Sequence, residues 1–379
     1  MTNEDITLLK LIRKSQFDLV DNLDFSNIDI DLLYDEAIKQ SVLGIIAPEI
    51  PLEYSNEKII TSIYRQKSSY ILYIHAQSEL CDILNKKGIK HSILKGCASA
   101  IYYKDPTLRS MGDIDFIVNS DDYIITKNLL HNNGYIEIKD DGRHTSYKKD
   151  GFEFEVHKHF SLDNDIEDYV IEGLNNPVIA KIDGCEFYML PQLANGVVLL
   201  DHIRRHLKYA LGFRQVIDWM MFVNSYLDDS VWNNQFVNVA KEKGMETLAK
   251  TVTRMCQIYL GLSESITWCY DADESNCNLL MKCIMFSGNF GCKNGKGNKI
   301  ELVSVSMQKI GLLRWLQQAG EHNWKYYHRY RWLRPFCWIY QIFRYIKQAF
   351  IAKRKSNEIV DDFVRSKDRY KLLKNMGIV

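Results

Sequence analysis

The feature that most constrains this chain is a pair of aspartates inside an apolar run, within SILKGCASAIYYKDPTLRSMGDIDFIV at residues 92–118. Alternate residues of a strand project from one face, so Asp113 and Asp115 share a face while the apolar residues beside them enter a core. Carboxylates are rarely buried unless they are paired or bind a metal. The pattern predicts a sheet with a functional acidic face, unless the sheet is half exposed and both acids simply face solvent.

The rest of the chain predicts an α+β fold in which a small mixed sheet is flanked by helical regions. Apolar residues recur at helical spacing as far as Gly88, a suitable C-cap. Short β-rich segments separated by Asn-Gly and Asp-Gly turns follow, and Ser120 is placed to cap a helix that crosses back over the sheet. We therefore predict a helical region at 1–88, an α+β domain at 89–190, a helical domain at 191–298 and a basic, aromatic helical region at 299–379.

Charge is balanced over the whole chain but not along it. The 48 Lys and Arg match 48 Asp and Glu, so attraction of the whole molecule to nucleic acid or membrane is not indicated. Residues 309–355, however, hold eleven Lys and Arg and one acid, mixed with aromatic residues. This segment predicts either packing on the protein body or peripheral contact with an anionic membrane, nucleic acid being the less favoured partner. The aromatic residues expected at the lipid headgroups are Trp324, Trp332, Trp338 and Phe343.

The nine cysteines indicate the compartment. They form no C-x-x-C pair and their number is odd, which favours reduced thiols in a cytoplasmic protein. The N-terminus lacks the apolar segment of a secretory signal, and no apolar run approaches the ~20 residues of a membrane span. We expect a cytoplasmic protein, with a peripheral position at the inner face of the membrane allowed by residues 309–355. The one cysteine cluster that could bind zinc fits no zinc-finger spacing: Cys269, Cys277, Cys283 and Cys292.

A second β-rich segment, FEFEVH at residues 152–157, adds Glu153, Glu155 and His157 on one face. Two aspartates and a glutamate on adjacent strands form a hard-oxygen site that suits Mg²⁺. Glu155 ranks above Glu153 because it lies farther from the turn that opens the strand. His157 is either a further polar contact of this site or a hydrogen-bonded core histidine.

A Lys-Gly pair ends the strand that precedes the aspartates. Gly96 lets the backbone approach a phosphate, and the amides that follow, beginning with Cys97, can open a helix whose N-terminus favours an anion. Lys95 and Arg109 can bind phosphate oxygens, Arg109 through its bidentate fork. The alternatives are a solvated strand end for Lys95 and a structural ion pair between Arg109 and Asp105 or Asp113.

Taken together, these motifs resemble a known family. The pattern L-K-G-x-A…Y…P…R-S-M-G-D-I-D-F-I-V, then F-E-V-H and H-x-x-x-H…R-x-x-x-D, spans about residues 60–225. It is similar to the uncharacterised bacterial nucleotidyltransferase family of the DNA-polymerase-β-type superfamily. The superfamily usually has Gly-Ser or Gly-Gly where this chain has Gly96-Cys97, and the stretch from Gly96 to Asp113 is longer than usual.

The resemblance implies transfer of a nucleoside monophosphate from an NTP, expected to be ATP, to an unknown hydroxyl or phosphate acceptor. It implies that Asp113 and Asp115 bind two Mg²⁺ ions and that Glu155 is the third carboxylate, able to receive the acceptor proton. An antibiotic adenylyltransferase is a narrower form of this hypothesis. The alternative is a non-catalytic protein that keeps the fold and docks on membrane-associated biosynthetic machinery through residues 309–355.

Two further pairs lie on predicted helices. His202 and His206 have the spacing of zinc proteases, but Ile203 replaces the glutamate that their motif requires, so a metalloprotease is disfavoured. Arg214 and Asp218 have the i, i+4 spacing of an intrahelical ion pair. Both belong to the family resemblance, so we expect Arg214 to help bind the nucleotide and this helix to lie beside the site.

Overall fold

The computed structural model describes residues 1–19, 22–161, 164–208, 210–289, 307–351 and 356–379. Its centre is a sheet whose seven strands are β1 (His91–Leu94), β2 (Ile114–Val118), β3 (Ile136–Asp140), β4 (His144–Lys149), β5 (Phe152–His157), β6 (Val178–Ile182) and β7 (Cys185–Met189). They are ordered β3-β4-β5-β2-β1-β7-β6. The sheet is mixed, because β2 runs parallel to β5 and antiparallel to β1. With helices on either side of this sheet in the sequence, the predicted α+β class is confirmed.

The helices that are numbered here are α1 (Asn3–Phe17), α2 (Ile30–Lys39), α3 (Glu57–Lys87), the five-residue α4 (Gly96–Ala100), α5 (Tyr123–Asn132), α6 (Asn164–Asn175), α7 (Gln192–Leu207), α8 (Phe213–Tyr226), α9 (Glu246–Leu260), α10 (Glu274–Ser287), α11 (Leu312–Asn323), α12 (Cys337–Ile351) and α13 (Ser356–Asn375). Shorter α-helical segments lie at Leu43–Ile46, Asp229–Val231, Val237–Glu242 and Lys325–Arg329. Single helical turns of other types lie at Ala47–Glu49, Leu52–Tyr54, Pro106–Leu108, Trp232–Phe236 and Arg331–Phe336.

Strand β2 has the alternation that its sequence predicts. Ile114, Phe116 and Val118 are fully buried in the core beneath the sheet, which also contains residues of α3. Asp115 therefore projects from the other face. On its two sides lie Glu155 of β5 and Leu94 of β1, each paired with Asp115 in register. Asp115 and Glu155 thus lie side by side on central strands of the sheet, where neighbouring strands and helices can surround them.

Two local expectations have different outcomes. Gly88 ends α3 with φ of 71°, so the predicted glycine C-cap is confirmed. The predicted cap at Ser120 is wrong. Helix α5 begins at Tyr123, and its N-cap residue, Asp122, makes no side-chain capping bond. Because Asp122 already has helical backbone angles, the preceding turn leads directly into the helix.

The sheet is larger than the sequence patterns suggested. Strands β6 and β7 form a hairpin, joined at Asp183 and Gly184, and β7 runs parallel to β1. All seven strands fall between residues 89 and 190. The four-part division of the chain stays a prediction, and its boundary at residue 298 lies outside the described residues.

Beyond the body, α11 and α12 pack against each other as a helical hairpin. Trp315 of α11 lies against Tyr345, with ring centroids 5.5 Å apart, and both Leu316 and Cys337 are buried. Within the described residues, no helix is both long enough and apolar enough to cross a membrane.

Candidate functional site

The turn between β1 and α4 brings the backbone into a strained path. Lys95 has φ of 50° and ψ of −139°, and Gly96 has φ of 39°. A side chain at position 96 would also overlap the hydroxyl of Tyr73, so only glycine fits there. Strained backbone of this kind persists where surrounding structure holds it, often at a functional site.

The helix predicted after this turn is present but has only five residues. The side chain of Cys97 is fully buried, and burial raises the pKa of its thiol. The Cys97 side chain therefore belongs to the core. Its predicted contribution to nucleotide binding rests on the backbone amide alone and stays a prediction.

Asp115 is the most contacted carboxylate of the site. Its Oδ1 lies 2.9 Å from Lys95 Nζ and 2.8 Å from His157 Nε2. Burial opposes ionisation of Asp115, but Lys95 and His157 outweigh it and hold the pKa of this carboxyl well below its usual range. Asp115 is thus a buried anion whose charge is balanced by neighbouring donors.

The pKa values of Glu155 and Asp113 are shifted in the opposite direction to that of Asp115. Burial and the nearby aspartates raise the pKa of Glu155, and the charge of Asp115, together with burial, raises the pKa of Asp113. Glu155 lies beside His157, with Oε2 3.7 Å from Nε2, and its Oε1 accepts a hydrogen bond from Ser146 Oγ at 3.2 Å. Both carboxyls are therefore crowded by negative charge, an arrangement that a cation relieves.

Among the described residues, a single group of His, Cys, Asp and Glu side chains is close enough to share a metal ion. Its members are Asp115, Glu155 and His157, whose candidate ligand atoms all lie within 4.8 Å of one another. Asp113 precedes β2 and lines the adjacent cleft but stands outside this group. Glu153, in contrast, is exposed and pairs with Lys148 at 3.4 Å.

The cleft next to the carboxylates has a volume of about 130 Å³. Its lining combines five cationic or imidazole side chains, two glycines and two aspartates: Lys95, Gly96, Arg109, Gly112, Asp113, Asp115, His202, His206 and Arg214. Helices α7 and α8 supply the last three of these. Burial lowers the pKa of His206 to about 4, with Lys95 adding to the effect. A neutral imidazole therefore faces the cleft near neutral pH.

Arg109 is held in a closed ion pair. Its Nε and Nη2 each donate to one oxygen of Asp218 at 2.7 Å, and Tyr103 donates to the same carboxylate at 2.7 Å. Asp218, and neither Asp105 nor Asp113, is thus its carboxylate partner. The pair fixes the long segment before β2 onto α8. Phosphate binding by Arg109 stays a prediction, although its guanidinium does line the cleft.

Several members of the site have no signal in the sequence. Ser146 and His144 come from β4, whose residues were expected only to complete the sheet; the His144 ring stacks on His157 with centroids 5.2 Å apart. Tyr73 donates a hydrogen bond to the Asp113 carbonyl from helix α3 at 3.0 Å. These residues are distant from the motif in sequence, and only strand pairing and helix packing bring them to it.

The cysteine cluster does not form a metal site in the described part of the chain. The Cys269 and Cys277 thiols are buried and donate hydrogen bonds to backbone or amide oxygens. Cys292 lies outside the described residues. Cys269 and Cys277 therefore act as small core side chains.

The sequence was compared with models of known protein families. Residues 26–261, more than half of the chain, match the model of a family described as uncharacterised nucleotidyltransferase. The chain belongs to this family. The match extends beyond the motif-bearing region at both ends and includes Asp113, Asp115 and Glu155, the cleft and helices α7 and α8.

Among solved structures, the chain is similar to an antigenic nucleotidyltransferase-like protein from Paracoccidioides brasiliensis. The identity is 14%, the alignment covers 51% of this chain and 95% of that chain, and the TM-score is 0.34. A likeness at this level carries no argument about the site. No curated protein matches the sequence.

Proposed function

We propose that this protein is a Mg²⁺-dependent nucleotidyltransferase that moves a nucleoside monophosphate from an NTP, expected to be ATP, to a hydroxyl or phosphate acceptor. The observation that carries the proposal is the register pairing of Asp115 with Glu155 beside a cleft lined by Lys95 and Gly96. Membership of a nucleotidyltransferase family supports the reaction class.

The side chains present fit a magnesium centre. Asp113, Asp115 and Glu155 offer the carboxylate oxygens that Mg²⁺ prefers. Burial and the neighbouring aspartates raise the pKa of Glu155, and the charge of Asp115 together with burial raises the pKa of Asp113. The ammonium of Lys95 already lies at a cation position of Asp115. We expect these three carboxylates to hold two ions. Bound magnesium would neutralise the triphosphate and acidify the acceptor hydroxyl.

The residues around the centre have separate tasks in this proposal. His157 orients Asp115 through the 2.8 Å contact, as second-layer partners of metal-binding groups commonly do. Lys95 neutralises Asp115 before substrate binds and contacts a phosphate oxygen afterwards. Glu155 is more exposed than Asp115, so it is the carboxylate placed to accept the acceptor proton.

The size of the cleft limits what it can contain. A volume of about 130 Å³ accommodates a phosphate end, whereas whole small-molecule pockets occupy roughly 300–1,000 Å³. The strained turn at Lys95 and Gly96 brings backbone amides to this end of the cleft. The sugar and base would therefore extend beyond the enclosed part.

A binding screen followed by turnover tests the proposal. The purified full chain is titrated with each of the four NTPs in the presence and absence of Mg²⁺. It is then incubated with cell extract and a nucleotide labelled at the α-phosphate, beside Glu155→Gln and the matched Glu153→Gln control. We expect Mg²⁺-dependent binding and label transfer that Glu155→Gln removes. A chain that binds no Mg²⁺-NTP would instead be the non-catalytic docking protein.

A further inference from the structure

Helix α12 exposes its apolar face, the reverse of an ordinary surface helix. Residues 338, 339, 342, 343 and 346 follow helical spacing along one side and are all Trp, Ile or Phe. Phe343 is 68% exposed, Ile346 49% and Trp338 37%. An ordinary surface helix would bury this side.

The opposite side of α12 forms the interior of the hairpin and is polar or mixed. Gln341 and Cys337 are buried there, and Gln341 accepts a hydrogen bond from Asn323 of α11 at 3.3 Å. Tyr340 stacks on Trp324 at 5.0 Å between ring centroids. Trp324 is thus engaged within the hairpin, which leaves Trp332, Trp338 and Phe343 as the exposed members of the four expected anchors. The hairpin has its own packing and does not need its apolar face for it.

Among the described residues of the hairpin, the charged side chains next to these exposed apolar positions are cations. Arg331 is exposed beside Trp332, which is 71% exposed, and Lys347 is exposed beside Ile346. The single acid of residues 309–355, Glu321, accepts hydrogen bonds from Arg334 at 2.9 Å and from Gln317 at 2.8 Å. The three cations at 353–355 lie outside the described residues. An anionic partner is therefore favoured, and a second copy presenting the same face would be repelled.

We propose that this hairpin surface, made of Trp332, Trp338, Phe343 and Ile346 with Arg331 and Lys347, docks on an anionic membrane leaflet. An apolar helix face bordered by cations suits a position in the plane of the interface, and tryptophan prefers the headgroup level. An exposed apolar helix face of this kind marks an interaction site. The proposal concerns a surface other than the catalytic cleft and is independent of the proposed reaction.

Vesicle sedimentation with the full chain tests the docking. Phosphatidylcholine vesicles with and without phosphatidylglycerol are compared at low and at high salt. We expect binding to the anionic vesicles only, falling at high salt because exposed charges are screened over ~8–10 Å at physiological ionic strength. Equal binding to neutral vesicles, or no binding to anionic vesicles at low salt, would overturn the proposal.

Two pairs of variants separate the apolar contribution from the charged one. Phe343→Ser with Ile346→Ser should lower vesicle binding at least tenfold, since both side chains are exposed and their replacement leaves the hairpin interior intact. Arg331→Gln with Lys347→Gln should lower it about fivefold for each cation removed. The matched controls, Ile71→Ser and Lys87→Gln on exposed positions of α3, should bind as the unchanged chain does.

Binding of a second copy or of a nucleic acid to this surface would give different experimental results. Size-exclusion chromatography with light scattering would reveal a dimer that Phe343→Ser with Ile346→Ser dissociates, and this result would reassign the face to self-association. Release of the chain from vesicles by single-stranded RNA, with direct RNA binding lost in the charge variants, would reassign it to nucleic acid. Wild-type vesicle binding by both double variants would overturn the docking surface altogether.

Discussion

Two charge clusters each contribute side chains to the same cleft, and their polar atoms are paired in different ways. In one, Arg109 and Asp218 satisfy each other through two 2.7 Å bonds. In the other, Asp115 has Lys95 and His157 as partners, while Asp113 and Glu155 lie close to it with raised pKa values. In the first cluster the two charges neutralise each other, and the ion pair holds the segment before β2 against α8. The second has excess negative charge, which is what a cation site requires.

The strongest way to test this comparison is to neutralise the second cluster. Asp115→Asn should lower turnover on the order of 10³-fold, because it removes a carboxylate from the proposed metal centre. It should also cost about 1–3 kcal/mol of unfolding free energy, since Lys95 and His157 lose their ionic partner. Label transfer and urea unfolding measure the two effects. Wild-type turnover would refute the metal assignment.

Asp113→Asn should separate the two effects. Turnover should fall as in Asp115→Asn, but stability at neutral pH should stay constant or rise. The pKa of Asp113 is raised in the folded chain, so its ionised form lowers the free energy of unfolding at pH values above the unfolded pKa. Replacing Asp113 with asparagine removes this destabilisation. Any stability gain should therefore disappear as the pH falls below ~4. A large loss of stability at neutral pH would contradict the repulsion described for this residue.

Glu155 and Glu153 provide a matched pair on one strand face. Glu155→Gln should lower turnover by at least ~10²-fold, because it removes the proposed base. Glu153→Gln should change turnover less than about twofold, since its exposed pair with Lys148 has little energetic value. Both variants should unfold at similar urea concentrations. The reverse order of activities would move the third carboxylate by two residues.

Changes to the Arg109–Asp218 ion pair should affect stability first. Asp218→Asn leaves the Arg109 charge buried without its partner and should cost about 3–5 kcal/mol of unfolding free energy. The double variant Arg109→Met with Asp218→Met should recover much of that loss, because no buried charge remains. If Arg109 also binds phosphate, the folded double variant will show a raised KM for the NTP. An unchanged KM would leave it with the structural task alone.

A pH-dependent effect concerns the histidines that line the cleft. The pKa of His206 is lowered to about 4 by burial and Lys95, so from pH 6.5 down to 4 the unfolded chain binds its proton more strongly than the folded chain. Stability should therefore fall as the pH drops through this range, by up to about 3 kcal/mol for this residue. His206→Gln should reduce the slope in urea unfolding, while His75→Gln on an exposed turn of α3 should not. If the unchanged chain and both variants showed the same dependence of stability on pH, the contribution assigned to His206 would be wrong.

The strand that carries the aspartates and the end of the long helix before it could be predicted from the sequence, because both depend on residues that are close together in the chain. The alternation in β2 depends only on strand geometry, and the cap at Gly88 only on a backbone angle that glycine adopts freely. A resemblance carried by the same residues led to the family that the family model supports. Asp115 and Glu155 could be predicted to be neighbours because both lie in strands of a strongly alternating pattern.

Only the tertiary structure could decide how the charges pair and which faces are covered. The sequence suggested Asp105 or Asp113 for Arg109, but helix packing brings Asp218 to it from 109 positions away. The pattern of α12 predicted a basic aromatic helix, yet gave no indication that α11 would cover its polar side and leave the apolar side outside. The reason is the same in both cases. A residue's type limits the partners it can accept, whereas the long-range packing of strands and helices determines which of them it meets.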